Sequence, residues 1–171
     1  TTGSSNTAIG RQACYNITTG ADNTALGYNT LDETTTADGN TAIGSNALTD
    51  NTSGYNNTAV GLQALGDNQT GNSCTAVGKD ALKLNTVNQN TAVGKGSLAA
   101  NTTGSNNNAL GYHSLYANTT GGENVAVGRM AMVTNTTGNY NVAIGNDALY
   151  TNNASSNTAI GNDALYANST G

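Results

Sequence analysis

The chain contains no proline, tryptophan or phenylalanine, and only 9% of its residues are charged. Because large aromatic side chains are scarce and glycine, asparagine, threonine and alanine dominate, an ordinary globular core is not expected. Five basic residues against ten acidic ones give a net charge of −5, so the basic face that nucleic-acid binding requires is missing. No apolar run approaches the roughly 20 residues of a spanning helix, which predicts no membrane insertion by this segment.

Cysteine and histidine are nearly absent. Cys14 and Cys74 stand four repeats apart, so at about 4.8 Å per stacked repeat they would lie roughly 19 Å apart. A disulfide needs Cα atoms within about 7 Å, and we predict no intrachain bond. The single histidine, His113, has no cysteine or carboxylate partners at metal-ligand spacing and is predicted to be an exposed spacer residue. The many hydroxyl side chains lack a histidine–carboxylate partner set, so we predict no catalytic, cofactor or metal site.

The dominant feature of the sequence is an internal repeat. A block of the type Asn-Thr-Ala-Ile-Gly recurs ten times, 17 residues apart except for two steps of 16. We number the positions of a repeat as columns 1 to 17, with the glycine of the block in column 5, and call the repeats coils 1 to 10. The whole chain, 1–171, is predicted to be one repeat array and a piece or subunit of a longer assembly. The repeats begin near residues 6, 23, 40, 57, 74, 90, 107, 124, 141 and 157.

The columns predict an all-β fold. Column 3 is always alanine, column 4 is always isoleucine, leucine or valine, and column 9 is leucine except at Cys14 and Met132. Recurrent glycine, asparagine and threonine, without apolar residues at helical spacing, argue against helices. We predict a parallel β-solenoid of ten 17-residue coils, with Thr-Ala-Ile as one short strand and Ala-Leu as a second. Columns 4 and 9 should supply the buried apolar rows, and the asparagines of columns 1 and 12 should stack into side-chain ladders.

The apolar content of each coil is small. Little hydrophobic stabilisation is therefore available against the conformational entropy of ordering 17 residues. Burial against further copies of the chain would relieve this shortage, and a column restricted to alanine suits a close approach of backbones between chains. We expect self-association into a homotrimer, with a head-to-tail filament as the alternative.

The repeated Asn-Thr-Ala-Ile-Gly-x-x-Ala-Leu block resembles the head repeats of trimeric autotransporter adhesins (YadA-like heads) and related repeats of phage tail fibres and large bacterial surface proteins. The resemblance covers essentially the whole chain. It implies a left-handed parallel β-roll, three chains wide, and a role in surface attachment. The adhesin heads repeat at a shorter interval, so the 17-residue unit has an additional polar corner.

Several polar and aromatic positions are candidate contact residues for a host-surface glycan or protein. Lys79 and Lys95 are neighbours in column 6, and tyrosines recur in column 10 at Tyr116, Tyr150 and Tyr166. A stripe of sparse positive charge could meet an anionic group, and tyrosine rings suit contact with sugars. The polar return of the coil also carries Asn-x-Ser/Thr sequons, which are possible glycosylation sites. Those considered are Asn16, Asn51, Asn68, Asn101, Asn118, Asn135 and Asn168.

These patterns favour a structural or adhesive segment of an extracellular fibre, on a cell surface or a virion, over an enzyme. Two alternatives remain open. One is a self-assembling extracellular filament subunit, and the other is an ice-binding solenoid that uses regular threonine rows. The threonines of column 2 are interrupted at Asn108, Val125 and Val142, which weakens the second alternative.

Overall fold

A computed structural model of the chain describes residues 2–168. All regular secondary structure in this range is β, and ten short strands form one parallel sheet in chain order. Each coil contributes one strand, so the predicted β-solenoid with its 17-residue repeat is confirmed. The strands are β1 (Thr7–Ile9), β2 (Thr24–Leu26), β3 (Thr41–Ile43), β4 (Thr58–Val60), β5 (Thr75–Val77), β6 (Thr91–Val93), β7 (Asn108–Leu110), β8 (Val125–Val127), β9 (Val142–Ile144) and β10 (Thr158–Ile160).

The register follows the repeat residue by residue. Ala25 pairs with Ala8 on one side and with Ala42 on the other, and each remaining strand pairs with its neighbours in the same way. Consecutive coils therefore place like residues above one another along the whole array. Sequence periodicity alone predicts this register, because any slip would mismatch every column at once.

The strand side of the solenoid, columns 2 to 4, has its alanines inside. Ala42 and Ala76 have no exposed surface, whereas the column 4 residues Ile43 and Ile144 are 37% and 38% exposed. Successive side chains of a strand point to opposite faces, so column 3 and column 4 cannot share one face. The expectation that column 4 is a buried row is therefore wrong, and the alanine column lies inside the coil and not between chains.

The outward residues of column 4 form what we call the aliphatic row. All ten are isoleucine, leucine or valine, and each is half-buried or exposed. No charged residue occurs in columns 2 to 4. The row comprises Ile9, Leu26, Ile43, Val60, Val77, Val93, Leu110, Val127, Ile144 and Ile160.

The opposite or turn side, columns 6 to 11, contains no second strand. Column 9 is left-handed, with φ of 49° at Leu48, and so is column 7, with φ of 55° at Asn46. Backbone hydrogen bonds still join the coils, since Leu48 N donates to Ala64 O (3.0 Å) and Asn46 N donates to Tyr28 O (2.9 Å). The predicted Ala-Leu strand is wrong because left-handed residues in two alternate columns, 7 and 9, turn the chain while its hydrogen bonds between coils are kept.

The left-handed conformation explains the composition of column 9. This column supplies the largest fully buried side chains, yet it holds leucine, methionine or cysteine and never isoleucine or valine. A side chain branched at Cβ is strongly disfavoured at positive φ, whereas a γ-branched one is less so. Column 7 follows the same rule with asparagine, aspartate, glutamine, glycine, histidine and methionine. Backbone conformation therefore explains why column 4 accepts isoleucine and valine whereas column 9 does not.

Glycine in column 5 joins the two sides. Gly61 has φ of 132°, and a Cβ built on it would lie 2.7 Å from the carbonyl carbon and oxygen of Gly78 in the next coil. Only glycine populates this backbone region freely. The corner is thus fixed by conformation and by the close stacking of one glycine on the next.

Asparagine ladders close the coil, as predicted. The Asn124 amide is fully buried and donates to Asn107 Oδ1 (3.1 Å) and Gly138 O (2.9 Å), and Asn124 Oδ1 accepts from the backbone N–H of Asn141 (3.0 Å). In column 12, Asn118 Nδ2 donates to Asn101 Oδ1 (2.8 Å). Buried amides paired this completely stabilise the stack, because an unpaired one would carry a large desolvation cost.

The two cysteines occupy different columns within this frame. Cys74 takes the place of asparagine in column 1, and Cys14 takes the place of leucine in column 9. Both are buried and free, so the predicted absence of an intrachain disulfide is confirmed. Burial raises the pKa of each thiol above its ordinary value.

Candidate ligand-binding groove

The turn side carries a concave site where coils 5, 6 and 7 meet. It encloses about 510 Å³ and opens to solvent. Columns 6, 7, 10 and 11 line this surface, and a coil with small residues in columns 7, 10 and 11 leaves a gap between its larger neighbours. The lining residues are Gln63 from coil 4, Lys79, Asp80, Lys83 and Leu84 from coil 5, Lys95, Gly96, Ala99 and Ala100 from coil 6, and His113 and Tyr116 from coil 7.

The floor of the groove is coil 6. Gly96 is the only glycine in column 7, and Ala99 and Ala100 fill columns 10 and 11. A Cβ on Gly96 would lie 2.5 Å from Cδ2 of the His113 ring and 3.4 Å from Cδ2 of Tyr116. The missing side chain at Gly96 therefore makes room for both rings, which settle over the floor from the next coil.

The wall on the coil 7 side is a stack of three aromatic rings. The His113 ring lies 4.0 Å from Tyr112 at an interplanar angle of 12°, and 4.6 Å from Tyr116 at 26°. Each ring is held by its neighbour, and Tyr116 remains 43% exposed. Tyr116 thus presents a firmly positioned phenol ring to the groove, at little entropic cost on ligand binding.

The wall on the coil 5 side and one edge of the floor carry the charge. Lys79 and Lys83 belong to coil 5 and Lys95 to coil 6, so three of the chain's five basic residues meet at one site. The Lys79 ammonium lies 3.8 Å from a carboxylate oxygen of Asp80, and Lys95 Nζ lies 5.8 Å from the centroid of Tyr112. The groove is therefore a positive region on an acidic protein.

His113 adds a titratable group to this setting. Desolvation by burial, and secondarily the nearby Lys95 ammonium, lower the pKa of the His113 imidazole below its ordinary value. The ring is consequently neutral at pH 7 and contributes a planar surface with one donor and one acceptor nitrogen. Its prediction as an exposed spacer residue is corrected, because it is half-buried and lines the groove.

The structure brings together three of the five predicted contact residues. Lys79, Lys95 and Tyr116 all line the groove, although the last belongs to a different column from the lysines. Tyr150 and Tyr166 do not; they stack on each other in coils 9 and 10, with centroids 4.8 Å apart. Sequence reasoning missed Lys83, Gly96 and His113. Gly96 could have been recognised from the sequence, because most other positions of column 7 hold polar side chains.

The column 12 sequons lie in a different environment from the one expected. Asn51, Asn68, Asn101, Asn118 and Asn135 have no exposed surface, and their amide nitrogens donate to the glycine carbonyl three residues ahead. A glycan on such a nitrogen is incompatible with this packing, so the glycosylation hypothesis is corrected for these five. Asn16 and Asn168 are half-buried, and glycosylation at these two positions stays a prediction. Ser169 and Thr170, which complete the sequon of Asn168, lie outside the described residues.

Within residues 2–168, no group of three or more histidine, cysteine, aspartate or glutamate side chains is arranged to hold a metal ion. In the same range there is no helix with the length and apolar character to cross a membrane. Comparison of the chain with protein-family models, with curated proteins and with solved structures gave no significant match.

Proposed function

We propose that the chain is a segment of an extracellular fibre, on a cell surface or a virion, with a structural and adhesive role and no catalytic one. The observation that carries this proposal is the aliphatic row, ten outward apolar residues aligned over the whole sheet. A continuous exposed apolar surface of this length is characteristic of an interaction site. A regular rod with such a surface suits lateral assembly and projection.

Further copies of the same chain are the partner that best fits the row. Its apolar residues recur once per coil, and only another solenoid of equal period can match them coil for coil along the full length. Threonine dominates the adjacent column 2, and no charged residue of columns 2 to 4 would be buried by such contact. The resemblance to adhesin heads favours three chains and a left-handed sense, both of which stay predictions.

Sedimentation tests this assembly. We expect the native chain to sediment as a trimer at micromolar concentration, and the double variant Val93→Lys/Val127→Lys to sediment as a monomer that keeps its β circular dichroism. The matched control is Thr103→Lys/Thr137→Lys, which adds the same charge to exposed positions of the same two coils. A native chain that is a folded monomer at about 100 μM would contradict the proposal, since a supporting interface must persist at this concentration.

The two alternatives receive less support. A head-to-tail filament would leave the aliphatic row exposed, and it predicts particles that lengthen with concentration. Ice binding is favoured by the outward threonines of column 2, but the Thr102 hydroxyl of column 13 donates to Thr119 O (3.0 Å), and neighbouring threonines do the same. Hydroxyls engaged in this way have no proton left to donate to ordered water, which weakens the ice-binding alternative. Thermal hysteresis of the purified chain is the observation that would favour ice binding.

A further inference from the structure

We propose that the groove of coils 5 to 7 binds an acidic sugar, meaning a pyranose ring that carries a carboxylate or a sulfate group. The inference rests on the proposed role in attachment and supplies its chemistry. It is independent of the aliphatic row, because the groove lies in columns 6 to 11 and the row in column 4.

The cations of the chain differ in the contacts they make, and in the groove only Lys79 is paired with a carboxylate, that of Asp80 at 3.8 Å. Arg11 lies over the Tyr28 ring at 5.7 Å, and Arg129 pairs with Asp147 at 3.2 Å. Among residues 2–168, neither Lys83 nor Lys95 forms an ion pair. Two such ammonium groups beside a concave surface favour an anion, because charge-assisted hydrogen bonds to carboxylate or sulfate oxygens are stronger than neutral ones.

The shape of the groove suits one ring. Coils 5 and 7 form its walls, so the walls are two coil steps apart, or about 9.6 Å between backbones. The floor between them is made by the small residues Gly96, Ala99 and Ala100, with Lys95 at one edge. Tyr116 offers a partly exposed ring whose position is fixed by His113, and the apolar face of a pyranose can pack on it. Asp80 and Gln63 supply acceptors for sugar hydroxyls.

The surrounding charges favour a short acidic ligand over a long polyanion. Columns 10 and 11 carry carboxylates at Asp32, Glu33, Asp50 and Asp67 in coils 2 to 4, directly along the solenoid from the groove. A nucleic acid running along the axis would meet this acidic stretch within a few coil steps and be repelled. A terminal or branching acidic sugar would reach the lysines without crossing it.

Calorimetric titration of the native chain tests the proposal with three trisaccharides of equal length, which are glucuronate-terminated, sulfated and neutral. We expect a Kd of about 1 mM or tighter for at least one acidic trisaccharide, and binding of the neutral one at least about tenfold weaker. The two acidic ligands identify which anion is preferred. A single-stranded DNA of about ten nucleotides is included, and tighter binding of that DNA would overturn the sugar assignment.

Groove variants locate the binding. Lys83→Gln/Lys95→Gln removes charge, Tyr116→Ala removes the ring, and Gly96→Asn keeps a residue that tolerates left-handed φ while filling the floor. Each should weaken acidic-sugar binding about tenfold or more. Arg11→Gln/Arg129→Gln and Tyr150→Ala are matched controls, since they remove two positive charges from column 6 and one ring from column 10 outside the groove.

The outcomes are separable from those of the fibre proposal. Groove variants should keep the native sedimentation state and circular dichroism, and Val93→Lys/Val127→Lys should keep sugar binding while losing assembly. The proposal is overturned if no acidic trisaccharide binds, or if folded groove variants retain native affinity. It is also overturned if the control variants lose as much affinity for the acidic trisaccharide as the groove variants lose.

Discussion

On the strand side of the solenoid the backbone is extended and accepts β-branched residues, whereas on the turn side columns 7 and 9 are left-handed and contain none. Both sides hydrogen-bond coil to coil, so the difference is conformational and not one of pairing. The strand side is uniform and uncharged and carries the aliphatic row. The turn side varies from coil to coil and carries the groove. Uniformity suits assembly with like chains, and variation suits recognition of something else.

The largest expected loss of stability comes from a substitution at the column 5 glycine, which joins the strand side to the turn side. Gly61→Ala should destabilise the chain by about 3 kcal/mol or more, because the backbone has φ of 132° and the new methyl group would lie 2.7 Å from the Gly78 carbonyl. Thermal unfolding monitored by circular dichroism measures the loss.

Gly66→Ala is the control within the same coil. Gly66 has no positive φ, and a Cβ there would lie 3.3 Å from its nearest neighbour, Gln63 O. Column 10 already holds Thr49 and Lys83 in the adjacent coils, so we expect a change within about 0.5 kcal/mol. Equal effects of the two substitutions would show that the corner conformation does not limit stability.

An exchange of isomers tests the two apolar columns against each other. Leu48→Ile should cost about 2–4 kcal/mol, because it places a β-branched side chain at φ of 49° in the core. Ile43→Leu in the same coil should be nearly neutral, since column 4 already holds leucine at Leu26 and points outward. Denaturant midpoints measure both. If the two substitutions cost the same, backbone conformation is not the reason why column 9 lacks isoleucine.

Much of the fold could be predicted from the sequence because ten repeats carry the same structural information. The period determines the register, and nine asparagines in column 1 predict a ladder whatever the shape of the coil. The prediction that column 4 faces the core is wrong, although a strand with the alanines of column 3 inside and column 4 outside fits the same residues. The missing second strand was harder to predict, since left-handed leucine is unusual and Ala-Leu also fits a strand.

The groove could be predicted only in part from the sequence. The fold follows from what the repeats share, whereas the groove follows from how they differ. A consensus averages over coils, whereas the groove depends on departures from it, above all on Gly96 beneath His113. Its walls come from coils 5 and 7, so no single repeat contains the site. Lysine and tyrosine positions could be read as candidates, but their convergence depends on which side chains are absent between them.

The smallest expected change in stability comes from two carboxylates that lie above one another on the turn side. Asp50 and Asp67 occupy column 11 of adjacent coils, and burial, followed by the Asp67 charge, raises the pKa of the Asp50 carboxyl. The folded chain therefore holds this proton more tightly than the unfolded chain, and the corresponding stability is lost as pH rises through the folded pKa. Asp50→Asn should raise Tm at pH 7 by about 1 °C, allowing for screening of a partly exposed group. In acid, where the Asp50 carboxyl is protonated in the folded chain, the gain should vanish. Asp22→Asn removes the same net charge from an exposed position in column 17, where Asn56 and Asn106 already occur, and an equal gain there would attribute the effect to net charge and not to stacking.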